Sequence, residues 1–405
     1  MTKKLSGKEL AVIIGCCLIF GSIGGLGQNC RGIFYPAITA DLNISMSKLT
    51  LYTTFYGVCS ALFMTTCCKW FQKVNAKLFL ALMCLLYGVP MFLMSFAQNA
   101  LWFYVLGSVQ GIGGGFVCFF PMQHIIGNWF PDRKGTVLGI VLLSSGIAGL
   151  FINPWAAGLI AAHGWRFVYR LLSVIILGLT LFASLILIDR SPEDVGLTAR
   201  RTGAAGTVKK EEFLAKESSI LDLAILFFYV LAVALFIGVS QHLSKFALEL
   251  GKTAEFGGLL VSASMAGNLA AKAVLGPLND KIGGRKSTIL ASAFIGLGSF
   301  AVLFSQADAV LFVTAFSVGV IMAVTALQTP LLFRSCTTKE QFDRLYPTEC
   351  SINTMFTSVS QFFLSAIFDL FGNYTYVFAA CGGTLLIGAV VLLILDRSVR
   401  SKMAA

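Results

Sequence analysis

Residues 221–238 read LDLAILFFYVLAVALFIG, with Asp222 their only charged residue. A half-buried strand alternates apolar and polar positions; this stretch does not alternate, and neither does Val310–Val324. Extended to Ser219–Leu243, the run reaches the roughly 20 apolar residues a helix needs to cross a bilayer. Lipid offers no partner to an unpaired backbone group, so a helix is the conformation such a run adopts. The rest of the chain has the same character. Apolar residues make up 57% of its 405 residues and charged residues 12%, against about half and a quarter in soluble domains.

Working outward from this run, about twelve spans are legible, each bounded by charge or turn residues. The first six are Leu10–Ala37, Lys48–Cys68, Lys77–Ala97, Leu101–Gly127, Gly135–Ala161 and Arg166–Asp189. The second six are Ser219–Leu243, Ala254–Gly276, Lys286–Ser305, Asp308–Phe333, Thr348–Asp369 and Tyr374–Leu395. The fold class is therefore all-α integral membrane, with twelve transmembrane helices. The expected domains are residues 1–189, a six-helix bundle; 190–218, a linker; and 219–405, a second six-helix bundle. The linker holds Pro192, Gly196, Gly203, Gly206 and the charge run Lys209-Lys210-Glu211-Glu212, read as solvated.

Basic residues cluster on one side of this arrangement. They precede the first span, follow every even-numbered one and fill the linker, about 23 of the 30 Lys+Arg in all. The positive-inside rule places both termini in the cytoplasm, in a cell (plasma or inner) membrane. The net charge of +11 thus reflects topology and implies no nucleic-acid partner. The first span is long and lacks a small-residue cleavage site, so no cleavable signal peptide is expected. The eleven cysteines include no CxxC pair and no metal-ligand spacing, and read as small packing residues.

A faint repeat relates the halves. Gly276-Pro-Leu-Asn-Asp280-Lys281-Ile-Gly283-Gly284-Arg285-Lys286 follows the eighth span; Gln72-Lys73-Val-Asn75-Ala-Lys77 follows the second. Aligning Asp280 on Gln72 places Lys281 on Lys73 and Arg285 on Lys77. A second echo pairs Phe130-Pro-Asp132-Arg133 with Phe342-Asp343-Arg344. Parallel six-span repeats are a transporter architecture, with the site at the repeat interface.

The Gly276–Lys286 run resembles the loop signature of the major facilitator superfamily, G-x-L-x-D-R/K-x-G-G-R-K. The resemblance implies the major facilitator fold, with Gly276, Asp280, Lys281, Gly283, Arg285 and Lys286 as the gating-loop motif. The first-half copy departs from it, with Gln72 for the Asp and Asn75 for the Gly, which argues against a charge latch there. Gly149-x-x-x-Asn153-Pro154-x-x-Ala157-Gly158 is similar to the family's fifth-span pattern; its small residues let helices approach and its proline can kink the span. Four further strings resemble the oxalate/formate antiporter and monocarboxylate transporter branch: Gly111-x-Gly113-Gly114-Gly115, Asn128-Trp129-Phe130-x-x-Arg133-x-Gly135, Gly164-Trp165-Arg166 and Ser191-Pro192-Glu193-Asp194-Val195-Gly196-Leu197. That branch implies a small organic anion, a carboxylate, as substrate.

The charges inside the spans point the same way. An ionisable group within a span is costly and is by default functional. All 19 acidic residues fit at span ends or in loops, with Glu349 at the start of the eleventh span. Two cations fall inside, Arg31 and Lys272. A guanidinium can hold a carboxylate through two parallel hydrogen bonds; the ordinary alternative is that Arg31 snorkels to the interface. Arg31-Gly-Ile-Phe resembles the monocarboxylate-transporter segment that holds a substrate-linked lysine, and Lys272 matches that branch's eighth-span arginine. One turn before Lys272 lies Asn268, where proton-coupled relatives resemble this segment but carry aspartate. Asn cannot titrate, which favours anion exchange or facilitated flux, with a Lys-based proton step left open.

The expected substrate site is thus Arg31 and Lys272 with Asn268, Gln28, Asn29, Tyr56, Gln328 and Asn353 as polar companions; inter-helix hydrogen bonding is the common role of such polar groups. Gly111–Gly115 read as close helix contact, since no strand precedes them as a nucleotide fingerprint requires. No Walker motif supplies ATP, His124 is read as structural, and no catalytic cluster makes this an enzyme. The expectation is a monomeric secondary active or facilitative carrier. It would bind a small organic anion between Arg31 and Lys272, work by alternating access, and use a co-transported proton or a counter-anion but no cofactor or metal. The rival is a carrier of larger amphipathic acids or drug-like compounds.

Overall fold

The computed structural model describes the chain apart from residues 1–5, 132–133, 198–213, 215–216 and 405, and apart from a few side chains such as Asp280. The charge run 209–212 and the Asp132-Arg133 echo lie outside the described residues.

Among the described residues there is no strand. Twelve long helices follow one another: α1 Gly7–Leu42, α2 Met46–Lys73, α3 Ala76–Met94, α4 Ala100–Trp129, α5 Lys134–His163 and α6 Trp165–Leu187. Then come α7 Ile220–Glu249, α8 Ala254–Ile282, α9 Gly284–Phe304, α10 Asp308–Cys336, α11 Lys339–Phe371 and α12 Tyr374–Ala404. Eleven are long and apolar enough to cross a membrane; α2 is the twelfth and is threonine-rich. Start signals are chemical. Ser6 with Glu9, Ser219 with Asp222 and Thr338 with Gln341 each form a capping box, satisfying amides the first turn leaves free.

The chain divides into two compact units, Met1–Thr207 and Val208–Ala405. Inside the first, α2 packs along α4, α3 along α6, and α1 along α5. Inside the second, α8 packs along α10, α9 along α12, and α7 along α11. The internal repeat is therefore one of packing as well as of sequence. Gly111–Gly115 show how it is achieved. A Cβ on Gly111 would strike the Tyr56 backbone, one on Gly115 the Ser60 hydroxyl, and one on Gly113 the Met83 carbonyl. The glycine run lets α4 lie against α2 and α3 at once.

Several helices run past their expected limits; α12 continues from Leu395 to Ala404, and α7 from Leu243 to Glu249. α8 runs through Gly276 and Pro277 to Ile282, ending only where Gly283 takes a φ of 85°. α11 begins at Lys339, well before Thr348, because the Thr338 box starts the helix in a polar segment that an apolar reading skips.

Candidate functional site

α1 is not one helix. After Gly7–Phe20 the stretch Gly21–Gln28, GSIGGLGQ, winds in wider π turns, and the chain restarts as Arg31–Leu42. Its four glycines favour the α-helix poorly and admit neighbours closely. A Cβ on Gly25 would meet Ala148 and Ser145 of α5, and one on Gly27 would collide with the Tyr87 hydroxyl of α3. Arg31 is the first residue after the break and is 8% exposed. Its guanidinium carbon lies 4.3 Å from the Tyr56 ring centroid and 5.9 Å from that of Tyr52. Gln28 Nε2 donates to Tyr56 Oη at 3.0 Å, and Asn29 Nδ2 donates to the Ser145 carbonyl at 3.2 Å. The first four polar candidates thus meet around one break, and Tyr52 joins them.

Tyrosine faces carry part of the charge, worth about 2 kcal/mol when desolvated. They do not complete the guanidinium's needs. Arg31 Nη2 is buried without a hydrogen bond, and among the described residues no carboxylate forms an ion pair with Arg31. A buried cation lacking a counter-charge, at the start of a helical segment whose dipole adds partial positive charge, is disposed toward an anion.

The candidates in the second unit are dispersed. Lys272 is half-buried on α8; Asn268, one turn earlier, is buried and its Oδ1 has no partner. Gln328 sits in a second π segment, Val324–Gln328, wholly enclosed between α9 and α10. Its Oε1 accepts from Thr288 Oγ1 at 3.2 Å and Ser287 Oγ at 3.4 Å, an inter-helix bond within the unit. Asn353 accepts from Thr357 at 3.2 Å on α11.

The loop motif works through Arg285. Its Nε donates to Asp396 Oδ1 of α12 at 2.9 Å and its Nη1 to the Ser335 carbonyl at 3.0 Å; Arg400 also pairs with Asp396, at 2.7 Å. Lys281 and Lys286 are exposed, Gly276 has open space around it, and the Asp280 side chain lies outside the described residues. The first unit does carry an ion pair at its loop, contrary to the sequence expectation. Lys77, the position aligned with Arg285, pairs with Asp189 at 2.7 Å, and Lys8 reaches the same carboxylate at 3.4 Å. The expectation compared only the loop's own acidic position. The counter-charge comes instead from the end of α6, and the signal was available: Asp189-Arg190-Ser191 repeats as Asp396-Arg397-Ser398.

Two buried groups escape a reading of the sequence alone. Glu349 is not at a helix end. It lies about three turns into α11 and is 2% exposed; Cys350 Sγ donates to its Oε2 at 3.4 Å and its Oε1 has no partner. His242 closes a 3-10 turn, Ser240–His242, that interrupts α7. Counted from the capping boxes at Ser6 and Ser219, Gln241 falls where Gln28 does and His242 where Asn29 does.

Comparison with known proteins agrees with this architecture. Residues 17–341 and 242–404 match the sequence model of the Major Facilitator Superfamily, and the chain belongs to that family. It is 27% identical over 264 residues to the Multidrug resistance protein MdtG of Escherichia fergusonii, covering 61% of this chain and 60% of that one. It is 24% identical over 207 residues to the Probable sulfoacetate transporter SauU of Cupriavidus necator, covering 51% and 47%. The chain spans 53% of the length of another relative, the MFS-type transporter pytF of Aspergillus terreus. The crystal structure of the nucleoside transporter NupG superposes with a TM-score of 0.69 at 11% identity, covering 98% of this chain and 100% of that one, a likeness of fold alone. The family match and the long apolar helices make this a multi-pass membrane protein.

Proposed function

We propose that this protein carries a small organic anion, a carboxylate, by alternating access. The observation that carries the reading is Arg31: enclosed in a broken helix, held by tyrosine faces, with a guanidinium nitrogen that no group among the described residues satisfies. A carboxylate supplies the missing acceptor and the missing charge together. Gln28, Asn29 and Tyr56 orient the anion in the first unit. In the second unit Lys272, half-buried one turn from Asn268, is a further cation for an anionic cargo. The resemblance to the oxalate/formate and monocarboxylate branch supports a carboxylate, and so does the likeness to SauU, named for an acid bearing both carboxylate and sulfonate. The one-sided distribution of basic loops supports an orientation with both termini in the cytoplasm.

The test is uptake of radiolabelled oxalate and of sulfoacetate into proteoliposomes, with a thermal-shift screen of small mono- and dicarboxylates beside it, since a ligand that binds the folded state raises its stability. Arg31→Ala and Lys272→Ala each abolish uptake while the purified proteins keep their helicity and melting behaviour. Full uptake by both variants removes the anion site from this reading.

Glu349 favours a second reading. A carrier of cationic drugs needs an embedded acid to receive the charge; the sequence suggests none, yet α11 contains one. With the likeness to MdtG, this supports a carrier of amphiphilic or drug-like compounds. Stabilisation by lipophilic cations, lost in Glu349→Gln and indifferent to Arg31→Ala, selects that reading over the first.

A further inference from the structure

Asp41 is the next-to-last residue of α1, where the helix dipole leaves partial negative charge and a carboxylate is unfavourable. The start of α6 compensates it. Arg166 Nη2 and Nε donate to Asp41 Oδ2 at 2.9 and 3.2 Å, and Trp165 Nε1 donates to the same oxygen at 3.0 Å. Arg166 Nη1 donates to the carbonyl of Ser95, just after α3, at 3.0 Å. The guanidinium carbon also stands 4.6 Å from the Trp165 ring centroid. Gly164, at a φ of 80°, makes the turn that presents the pair. The ends of α1, α3 and α6 are thus tied at one corner, which gives a role to Gly164-Trp165-Arg166, a string the anion site does not use.

Two paths of rings lead from this corner to Arg31. Trp165 lies 6.2 Å from Phe103 of α4, Phe103 5.8 Å from Tyr52 of α2, and Tyr52 5.9 Å from the Arg31 guanidinium carbon. The second path runs from Trp165 to Tyr169 at 5.9 Å and on to Phe34 of α1 at 4.8 Å, one turn beyond Arg31. All five rings are buried, and a close-packed interior transmits a displacement. Pro36 removes a rung from the backbone ladder of Arg31–Leu42, so that short segment depends on outside contacts for its alignment. The second unit repeats the grip: Glu249, the last residue of α7, accepts the amide of Tyr374, the first residue of α12, at 3.0 Å. In both units an acid at the end of the broken helix holds the start of the unit's last helix.

We propose that Asp41, Arg166 and Trp165 form a positioning corner that aims the Arg31 guanidinium at the anion. The corner touches no cargo. It fixes the far end of Arg31–Leu42 and braces the rings on which the guanidinium rests. Loosening it lets the segment turn, and Arg31 then meets a carboxylate out of line. The inference rests on the anion reading for its effect on transport; the placement of Arg31 by the corner does not depend on what is carried.

The full chain, labelled with 15N-arginine in lipid nanodiscs, reports that placement. A guanidinium over aromatic faces has its Nε–H proton shifted upfield by their ring currents, and Arg31→Lys assigns the resonance. Asp41→Asn and Arg166→Lys each move it toward the position of a free arginine. Asp308→Asn, which breaks the comparably exposed Lys252–Asp308 pair of the second unit, leaves it in place. In proteoliposomes the KM for oxalate rises about fivefold in Asp41→Asn and in Arg166→Lys, while the maximal rate per folded protein stays within about twofold of native. Asp41→Glu, which keeps the charge, recovers most of the loss. An Arg31 resonance unmoved in both corner variants overturns the proposal. So does a native-like KM in both, or an equal rise in Asp308→Asn, when the native protein transports oxalate. If the resonance moves but the native protein transports no carboxylate, the corner is shown to place Arg31 and the anion reading fails by itself.

Discussion

The broken helices α1 and α7 share a start signal, a break and a tight contact with a neighbour, yet they handle charge differently. At the α1 break Arg31 is charged at every accessible pH and is held by the faces of Tyr52 and Tyr56. At the α7 break His242 is a neutral-capable imidazole whose Nδ1 lies 2.9 Å from the Tyr374 phenol oxygen. The loop ion pairs show the same divergence. Arg285 and Asp396 are both largely buried, whereas Lys77 is 36% exposed and shares Asp189 with Lys8. The lesson is that the repeat preserves backbone geometry and contact sites, while side chains at equivalent positions diverge in strength and in chemistry.

This contrast can be broken at graded cost. The largest effect is expected from Arg31→Ala. Truncating one member of a buried, hydrogen-bonded charge pair costs about 2–5 kcal/mol, so oxalate affinity measured by titration falls about 100-fold, and Lys272→Ala, at a half-buried site, falls less. Next comes Asp396→Asn, which strands the Arg285 guanidinium. Stability measured by denaturant titration in detergent drops by about 3 kcal/mol, the low end for a buried pair because Arg285 keeps some solvent contact. Asp189→Asn costs about 1 kcal/mol, since its lysines reach water. An equal loss for both aspartates would show the two pairs to be equivalent. The smallest effect belongs to Lys8→Ala, a few tenths of a kcal/mol, read as a shift of the melting midpoint that 0.5 M salt erases.

The fold is legible in the sequence because a bilayer imposes it: runs such as Leu221–Gly238 admit no other conformation, and Gly111–Gly115 announce a close approach the structure contains. Boundaries shift where polar chemistry governs the helix, as at Thr338, which carries α11 back over a segment of mixed character and so encloses Glu349 within it. Around Arg31 the sequence singles out Gln28 and Tyr56, which the structure joins by a hydrogen bond beside the guanidinium, whereas Asn29 makes an inter-helix bond to the Ser145 carbonyl. His242 escapes notice because a lone histidine in an apolar run has no local signature; only the register shared with Gln28 and Asn29 marks it. Asp189 reads as a span end, and its partnership with Lys77 needs the three-dimensional meeting of the chain just after α6 with the first turn of α3.

The wide turns of Gly21–Gln28 have a consequence for how α1 can change. A π turn holds one residue more than an ordinary turn of the same helix, and each residue rotates the remainder of the helix by about 100°. Deleting a single residue there would tighten the coil without severing it, and would rotate the guanidinium away from both aromatic faces. The segment acts as an angular adjustment between the two parts of α1: its residue count, more than the identity of any one member, aims the charge.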